Sequence, residues 1–219
     1  MSDPVLIVGT GAQAKYALET LHLRSVPVMG LLAIDAAGAP ESLDGATVLG
    51  TLDDFEQVLA SHPNLRLLLA CSSNSMKFDL QRRFETHRPR YAQAIHPGSF
   101  IARTATLGEG VIVNAAAVIQ PFATVGRHVM IHAGAVIEHD ARIGDFANIA
   151  PRACLTGHVI VGEGATIFAG AVVTPSVHIG AWAVVGAGAV VLDAVESDTT
   201  VAGVPARALA RKAKGTDGQ

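Results

Sequence analysis

The chain has 219 residues, half of them apolar, so it can bury a core either as one large domain or as two small ones. Its net charge of -3 argues against a protein that grips nucleic acid through a broad basic face, because such binding requires many phosphates to be neutralised. Two cysteines, Cys71 and Cys154, provide neither a disulfide framework nor a CxxC metal site, which fits a reducing cytoplasm.

Predicted strands and helices alternate over the first part of the chain. Buried strands are expected at residues 5–8, 26–34 and 65–71, and each is followed by a helical pattern, at residues 12–24, 53–61 and 75–86. This alternation is typical of a small parallel α/β sheet. We therefore predict an α/β domain over residues 1–95, with residues 92–97 as the connector to the rest of the chain.

The turn after the first strand, residues 9–15, reads GTGAQAK and lies where an α/β sheet binds phosphate. Ala14 stands where the dinucleotide fingerprint has its third glycine, and Asp35 comes near the end of the second strand without directly ending it. The turn therefore favours a single nucleotide or a nucleotide-linked sugar over a full dinucleotide. An alternative stays open, in which Gly9 and Gly11 only shape a tight turn.

A six-residue repeat begins at Ile101. Sixteen consecutive first positions are aliphatic, and every fifth position is Ala or Val. A period of six fits short strands joined by tight corners, with one large and one small side chain pointing inward. Glycine also recurs at intervals of eighteen residues: Gly108, Gly126, Gly144, Gly162 and Gly180. We therefore predict a triangular solenoid with three strands per turn, in which residues eighteen apart are stacked.

Four features together resemble a known family: the α/β domain, the His96-Pro97 link, the hexads containing VIEHD and IGDF, and the closing AGVPAR. They resemble the bacterial sugar acyltransferases of the sialic acid O-acetyltransferase type, which include N-acetyltransferases of nucleotide-linked 4-amino sugars. The resemblance implies three regions. These are a Rossmann-like nucleotide-sugar-binding domain at 1–95, a left-handed parallel β-helix of hexapeptide repeats at 96–196, and a C-terminal segment with a flexible tail at 197–219.

The motif Glu-His-Asp at residues 138–140 is the candidate catalytic centre. The resemblance implies that His139 is the general base and Asp140 its polarising partner. An amine or hydroxyl that attacks a thioester must lose a proton, and imidazole, with an unperturbed pKa near 6.5, accepts protons near neutral pH. Because the thioester is already activated, no enzyme nucleophile is needed, and Cys154 is expected to pack rather than react. The role of Glu138 stays open.

The resemblance also implies a binding groove for acetyl-CoA, the expected acyl donor. The backbone N–H of Gly157, eighteen residues after His139, is expected to stabilise the oxyanion of the tetrahedral intermediate. The steps FAGA and GAGA, with Ala169 and Ala187, are expected to line the pantetheine arm. Arg207, in AGVPAR, is expected near the adenine and phosphates.

On the acceptor side the sequence departs from many relatives. Gln13 stands where many relatives have a histidine after the glycine-rich turn, and Asp35 is followed by alanines rather than by a second acidic residue. At two active-site positions where one branch of the family has Asn and then His, this chain has His132 and then Asn148. The nucleotide and the sugar are therefore left open. The expected substrate contacts are Gly9, Gly11, Gln13, Asp35, His132 and Asn148.

The leading hypothesis is an acetyl-CoA-dependent N-acetyltransferase acting on a nucleotide-linked amino sugar for bacterial glycan or O-antigen synthesis. Two alternatives are kept: a sugar O-acetyltransferase, and a non-catalytic trimeric module that binds a nucleotide sugar. The family resemblance implies a homotrimer with active sites between subunits. The N-terminus lacks the features of a signal peptide, and no apolar run approaches the roughly 20 residues that cross a bilayer, so we expect a cytoplasmic protein without membrane insertion.

No metal is expected. The gamma-class carbonic anhydrase, a related β-helical enzyme, holds zinc with three histidines shared across subunits, and His128, His132 and His139 are considered as such a set. The seven-residue interval between His132 and His139 does not match that enzyme's spacing, and the α/β domain has no role there.

Overall fold

A mostly parallel sheet with three helices forms the first part of the chain, which confirms the α/β prediction; the computed structural model describes residues 3–62 and 64–209. The strands are β1 (Val5–Val8), β2 (Val28–Ala33), β3 (Ser42–Leu43), β4 (Ala46–Thr51), β5 (Arg66–Leu69) and β6 (Arg90–Tyr91), and the helices are α1 (Ala12–Leu23), α2 (Phe55–Ser61) and α3 (Asn74–Phe84). The strands lie in the order β3-β4-β2-β1-β5-β6, and only β3 and β4 pair antiparallel.

Burial explains why these segments adopt their structures. β1 is buried along its whole length, as expected for a central strand with both faces covered. Ser73 begins α3 by accepting a hydrogen bond from the Met76 N–H at 3.2 Å. The residues of α1 that face the sheet have the spacing of one helix face: Ala14, Ala17, Leu18 and Leu21.

From Ala94 onward the chain winds into a parallel β-helix with three faces and two-residue strands. The docked face, which the α/β domain covers, contains β7 (Ala94–Ile95), β10 (Ile112–Val113), β13 (Met130–Ile131), β16 (Asn148–Ile149), β19 (Thr166–Ile167), β22 (Val184–Val185) and β24 (Thr200–Ala202), with β25 (Arg207–Ala208) antiparallel to β24. The apolar face contains β8 (Phe100–Ile101), β11 (Val118–Ile119), β14 (Val136–Ile137), β17 (Cys154–Leu155), β20 (Val172–Val173) and β23 (Val190–Val191). The polar face contains β9 (Thr106–Leu107), β12 (Thr124–Val125), β15 (Arg142–Ile143), β18 (Ile160–Val161) and β21 (His178–Ile179).

The hexad register predicted from the sequence is the register of the β-helix. Val118 pairs with Val136, eighteen residues later, and Ile137 and Ala135 represent the large and small positions that fill the interior. Each coil runs from the docked face to the apolar face, then to the polar face and back. The three turns between faces are called the docked-to-apolar, apolar-to-polar and polar-to-docked corners below.

The apolar face differs from the other two in its outward side chains. Those of the polar face include Arg142, His178 and two threonines, and the docked face is partly covered by the α/β domain. The outward residues of the apolar face are Phe100, Val118, Val136, Cys154, Val172 and Val190. A continuous apolar surface of this kind is typical of an interface between proteins.

The α/β domain is fixed to the docked face by apolar and polar contacts. Ala17 of α1 belongs to the same buried cluster as Ile112 and Met130 of the β-helix. The Asn74 side chain, at the start of α3, donates through Nδ2 to the Gly164 carbonyl at 3.0 Å and to Oγ1 of Thr166 at 3.0 Å. The two parts therefore share one buried boundary, and the first turn of α3 is held against the β-helix.

A buried lysine and a buried histidine lie at this boundary. Lys77 of α3 donates through Nζ to the His128 carbonyl at 2.9 Å and to the Phe146 carbonyl at 3.3 Å. The His128 ring stacks on Phe146, with centroids 5.3 Å apart, and meets the edge of Tyr91 at 4.4 Å. Burial lowers the pKa of Lys77 to about 8 and that of His128 to about 4. His128 is therefore neutral near neutral pH.

Two predictions concern the ends and the membrane. Within residues 3–62 and 64–209, no helix combines the length and apolar character that crossing a bilayer requires. Of the predicted C-terminal segment and flexible tail at 197–219, residues 210–219 lie outside the described residues.

Candidate active site

His139 and Asp140 form a hydrogen-bonded pair at the apolar-to-polar corner. Asp140 accepts from Nδ1 of His139 at 2.8 Å, and this bond leaves Nε2 as the proton acceptor of the ring. The side chains are 52% and 42% exposed, so a substrate can reach them. Asp140 has a left-handed φ of 59°, which the corner requires and which aspartate tolerates better than most residues.

Gly157 lies directly against the His139 ring in the next coil. A Cβ placed on Gly157 would be 2.7 Å from Nε2 of His139, so a side chain there would displace the ring. The Gly157 N–H donates no hydrogen bond to any residue that the structure describes. A proton acceptor and an unpaired donor therefore lie side by side, as acyl transfer requires.

His158 is a third titratable side chain at this corner, and the sequence analysis did not single it out. Its ring meets His139 edge to face, with centroids 5.2 Å apart and an interplanar angle of 89°. Ligand-type atoms of His139, Asp140 and His158 all lie within 4.8 Å of one another. The spacing could have identified it, because His158 stands eighteen residues after Asp140 and residues eighteen apart are stacked in successive coils.

His132 and Asn148 form a second pair, at the docked-to-apolar edge of the β-helix. Nε2 of His132 donates to Oδ1 of Asn148 at 2.9 Å, which leaves Nδ1 of the histidine and the Asn148 amide protons for a ligand. Burial lowers the pKa of His132, although the bond to Asn148 opposes this shift. The two residues predicted as substrate contacts in the β-helix are therefore hydrogen-bonded to each other.

A cleft of about 320 Å³ opens at the carboxyl edge of the α/β sheet. Gly9, Gly11, Gln13 and Asp35 all line it. Gly9 has a φ of 121°, and a Cβ there would lie 2.5 Å from the Ala70 carbonyl, so this position requires glycine. Gly11 has open space around it and precedes α1 directly. The structure thus brings together the four residues expected to contact the nucleotide.

A second cleft, of about 570 Å³, continues from the first toward the β-helix. The two clefts share Gln13, Ser72 and Ser73. His132, Asn148 and Ala169 also line the second cleft, together with Asn74, Thr166, Phe168 and Trp182. A path therefore leads from the nucleotide-type turn to the His132 and Asn148 pair. Asn74 and Trp182 carry no sequence signal that separates them from core or corner residues.

Most of the remaining predicted contacts lie at two different corners of the β-helix. His139, Asp140 and Gly157 belong to the apolar-to-polar corner, whereas Ala169 and Ala187 lie exposed on the docked-to-apolar corner. The apolar face separates these corners within one chain. Arg207 lies in β25, exposed at the end of the docked face. One chain therefore presents the two sets of predicted contacts on separate corners.

Within one chain, the three histidines of the zinc alternative lie at three different corners. His128 lies at the polar-to-docked corner, His132 at the docked-to-apolar corner and His139 at the apolar-to-polar corner. The histidines of one copy therefore do not form a metal site by themselves.

Residues 122–157 and 158–193 match the family model of the bacterial transferase hexapeptide (six repeats). No curated protein sequence matches the chain. Solved structures match over nearly the whole length. PerB from Caulobacter crescentus, in complex with CoA and GDP-perosamine, is 34% identical with a TM-score of 0.88, and the match covers 94% of this chain and 97% of that one. The fold and the site thus define a hexapeptide-repeat acyltransferase.

Two further structures have the same fold. The acetyltransferase domain of PglB from Neisseria gonorrhoeae is 26% identical with a TM-score of 0.87, over 95% of this chain and 100% of that one. WeeI from Acinetobacter baumannii is 24% identical with a TM-score of 0.79, over 94% and 99%, and supports the fold alone. The chain belongs to the sugar acyltransferase family with a β-helix.

Proposed function

We propose that the protein transfers an acetyl group from acetyl-CoA to the amino group of a nucleotide-linked sugar. The main observation is the His139 and Asp140 pair, whose free Nε2 lies beside the unpaired Gly157 N–H. The similarity to a perosamine N-acetyltransferase solved with CoA and GDP-perosamine supports an amine acceptor and a CoA donor. The similarity to an acetyltransferase domain solved with acetyl coenzyme A supports acetyl as the acyl group.

The reaction follows from these groups. Nε2 of His139 accepts a proton from the amine as its nitrogen attacks the thioester carbonyl, while Asp140 holds the ring through Nδ1. The oxyanion of the tetrahedral intermediate accepts a hydrogen bond from the Gly157 N–H. The C–N bond is then complete, the C–S bond breaks, and the CoA sulfur leaves with a proton from His139. No covalent enzyme intermediate is needed.

We propose a homotrimer as the active assembly. Three copies that pack their apolar faces around a threefold axis would bury the column of valines that each chain exposes. In such a trimer the apolar-to-polar corner of one subunit meets the docked-to-apolar corner of the next. His139 and Gly157 of one copy would then face Ala169 and Ala187 of another, across a groove that accommodates pantetheine.

The nucleotide sugar would occupy the two connected clefts. The phosphates would lie at the glycine turn before α1, where the helix N-terminus favours negative charge. Asp35 and Gln13 line the nucleotide end, and the sugar would extend past Gln13 toward His132 and Asn148. The neighbouring subunit's base corner would complete the site. The acetylated product would serve as a precursor for bacterial glycan or O-antigen assembly.

The test is a free-thiol release assay with acetyl-CoA and a panel of UDP-, GDP- and dTDP-linked 4-amino sugars, with hydroxyl analogues as separate acceptors. We expect turnover with an amine acceptor and product mass consistent with one added acetyl group. His139→Ala should lower kcat by at least about a hundredfold while leaving acetyl-CoA binding intact. His178→Ala, a change of an exposed histidine on the polar face, is the matched control.

Three outcomes would contradict the proposal. Turnover with hydroxyl analogues alone would make the protein an O-acetyltransferase. Tight nucleotide-sugar binding without any turnover would make it a binding module. Near-normal turnover in His139→Ala would remove the histidine from the mechanism.

A further inference from the structure

The proposed reaction has to remove two protons from its substrate nitrogen. A primary amine is largely an ammonium ion near neutral pH, as the lysine side chain illustrates. The balanced reaction is R–NH3+ plus acetyl-CoA giving the amide, CoA–SH and one proton. One proton leaves the ammonium before attack and goes to solvent, and the second leaves on attack and ends on the CoA sulfur. Nε2 of His139 can hold only one substrate proton at a time, so the first proton must leave before the second is accepted.

His158 is placed to provide that exit. Ligand-type atoms of His139, Asp140 and His158 lie within 4.8 Å of one another. Two hydrogen bonds of about 2.8 Å that meet at one water molecule span about 4.5 Å, so a single water can connect polar atoms at this separation. Imidazole both accepts and releases protons near neutral pH.

The surroundings of His158 lead from the groove to the outer surface. Nε2 of His139 faces Gly157. Asp140 and His158 line a separate depression next to the polar face, and His139 is not among the residues that line it. Its other lining residues are Phe122, Thr124, Arg142 and Ile160. Among the residues that line this depression, His158 is the one with an imidazole ring, the group that both accepts and releases protons near neutral pH.

We propose that His158 is the proton outlet of the active site. His139 takes the first proton from the substrate ammonium and passes it through one water molecule to His158, which releases it to solvent. Nε2 of His139 is then free for the second proton, which it gives to the departing sulfur. This inference rests on the proposed N-acetyltransferase function, and His158 acts through His139 rather than on the substrate.

Two substitutions separate proton transfer from packing. His158→Asn cannot carry the proton, and asparagine tolerates the left-handed φ of 62° at this position. His158→Phe keeps an aromatic ring beside His139, and Phe122 and Phe146 adopt the same left-handed φ at corners of this chain. His178→Asn, at an exposed histidine of the polar face, is the matched control.

The readout is kcat and KM for the amine acceptor at fixed pH and ionic strength, with low and then high concentrations of imidazole buffer and with a chelator to keep cations off the three side chains. In low buffer, both variants should lose kcat by about tenfold with KM unchanged, less than the 10²-fold or more expected for a direct general base. Added imidazole should restore their kcat, whereas wild type and the control should not respond.

Three results would contradict the proposal that His158 is the proton outlet. Both variants could keep the wild-type kcat in low buffer. Only His158→Asn could be slow, which would make ring packing the role of His158. The loss could also persist at every imidazole concentration. Failure of the proposed function is distinct from all three, because wild type would then show no turnover or His139→Ala would keep it.

Discussion

Replacing the buried His128 with phenylalanine should remove much of the loss of stability that the protein undergoes in mild acid. His128 is 2% exposed, and burial is the first cause that lowers its pKa from 6.5 to about 4. Phenylalanine keeps the stacking with Phe146 and cannot take up a proton. Phe146 itself has a φ of 61° at the same corner one coil later, so the backbone at His128, with φ 55°, accommodates the ring.

The sign follows from proton binding. Between pH 4 and 6.5, His128 is protonated in the unfolded chain and neutral in the folded one, so the unfolded state binds more protons. Stability therefore rises with pH in this window and falls as the pH drops. With these two pKa values, linkage gives a loss of about 2 kcal/mol of unfolding free energy from pH 7 to pH 5 for this group alone.

The assay is urea unfolding of wild type and His128→Phe at pH 7 and pH 5, at one protein concentration because oligomers unfold in a concentration-dependent way. The fall in unfolding free energy should be smaller in the variant by about 2 kcal/mol, even if a larger ring lowers stability equally at both pH values. His178→Phe, at an exposed histidine, should leave the fall unchanged. Equal falls in wild type and His128→Phe would refute the reasoning.

Two further changes test the catalytic corner and the assembly. Gly157→Ala should lower kcat by about a hundredfold, because the new Cβ would lie 2.7 Å from Nε2 of His139 and push the base out of place, and unchanged turnover would contradict this geometry. Val136→Glu should dissociate the proposed trimer in sedimentation experiments and abolish turnover, since it would bring like charges together on the apolar face. Thr106→Glu, at an exposed position of the polar face, should do neither, and a Val136→Glu trimer would show that the apolar face is not the interface.

The β-helix could be predicted closely because its repeat assigns every residue a place. A period of six determines which side chains point inward, and an interval of eighteen determines which residues touch, so Gly157 could be placed over His139 from numbering alone. The same arithmetic places His158 over Asp140. The sequence offered no reason to single that position out, because histidine is among the residues enriched at left-handed corners and its presence there needs no functional explanation.

The α/β domain was predicted less completely. The hairpin of β3 and β4 was missed, although Asp44 and Gly45 between these strands are a strong turn signal. The burial of Lys77 and His128 could not be read from the sequence, because it depends on how α3 docks against the β-helix. Contacts between the α/β domain and the β-helix produce no periodic pattern in the sequence of either region, so the sequence does not reveal them.

The separation of base and acceptor contacts onto different structural elements has an evolutionary consequence. Gln13 and Asp35 belong to loops of the α/β domain, whereas His139 and Gly157 belong to a corner whose geometry the hexad register dictates. In the proposed enzyme, mutations in the loops would alter which sugar is accepted without disturbing the acyl-transfer chemistry.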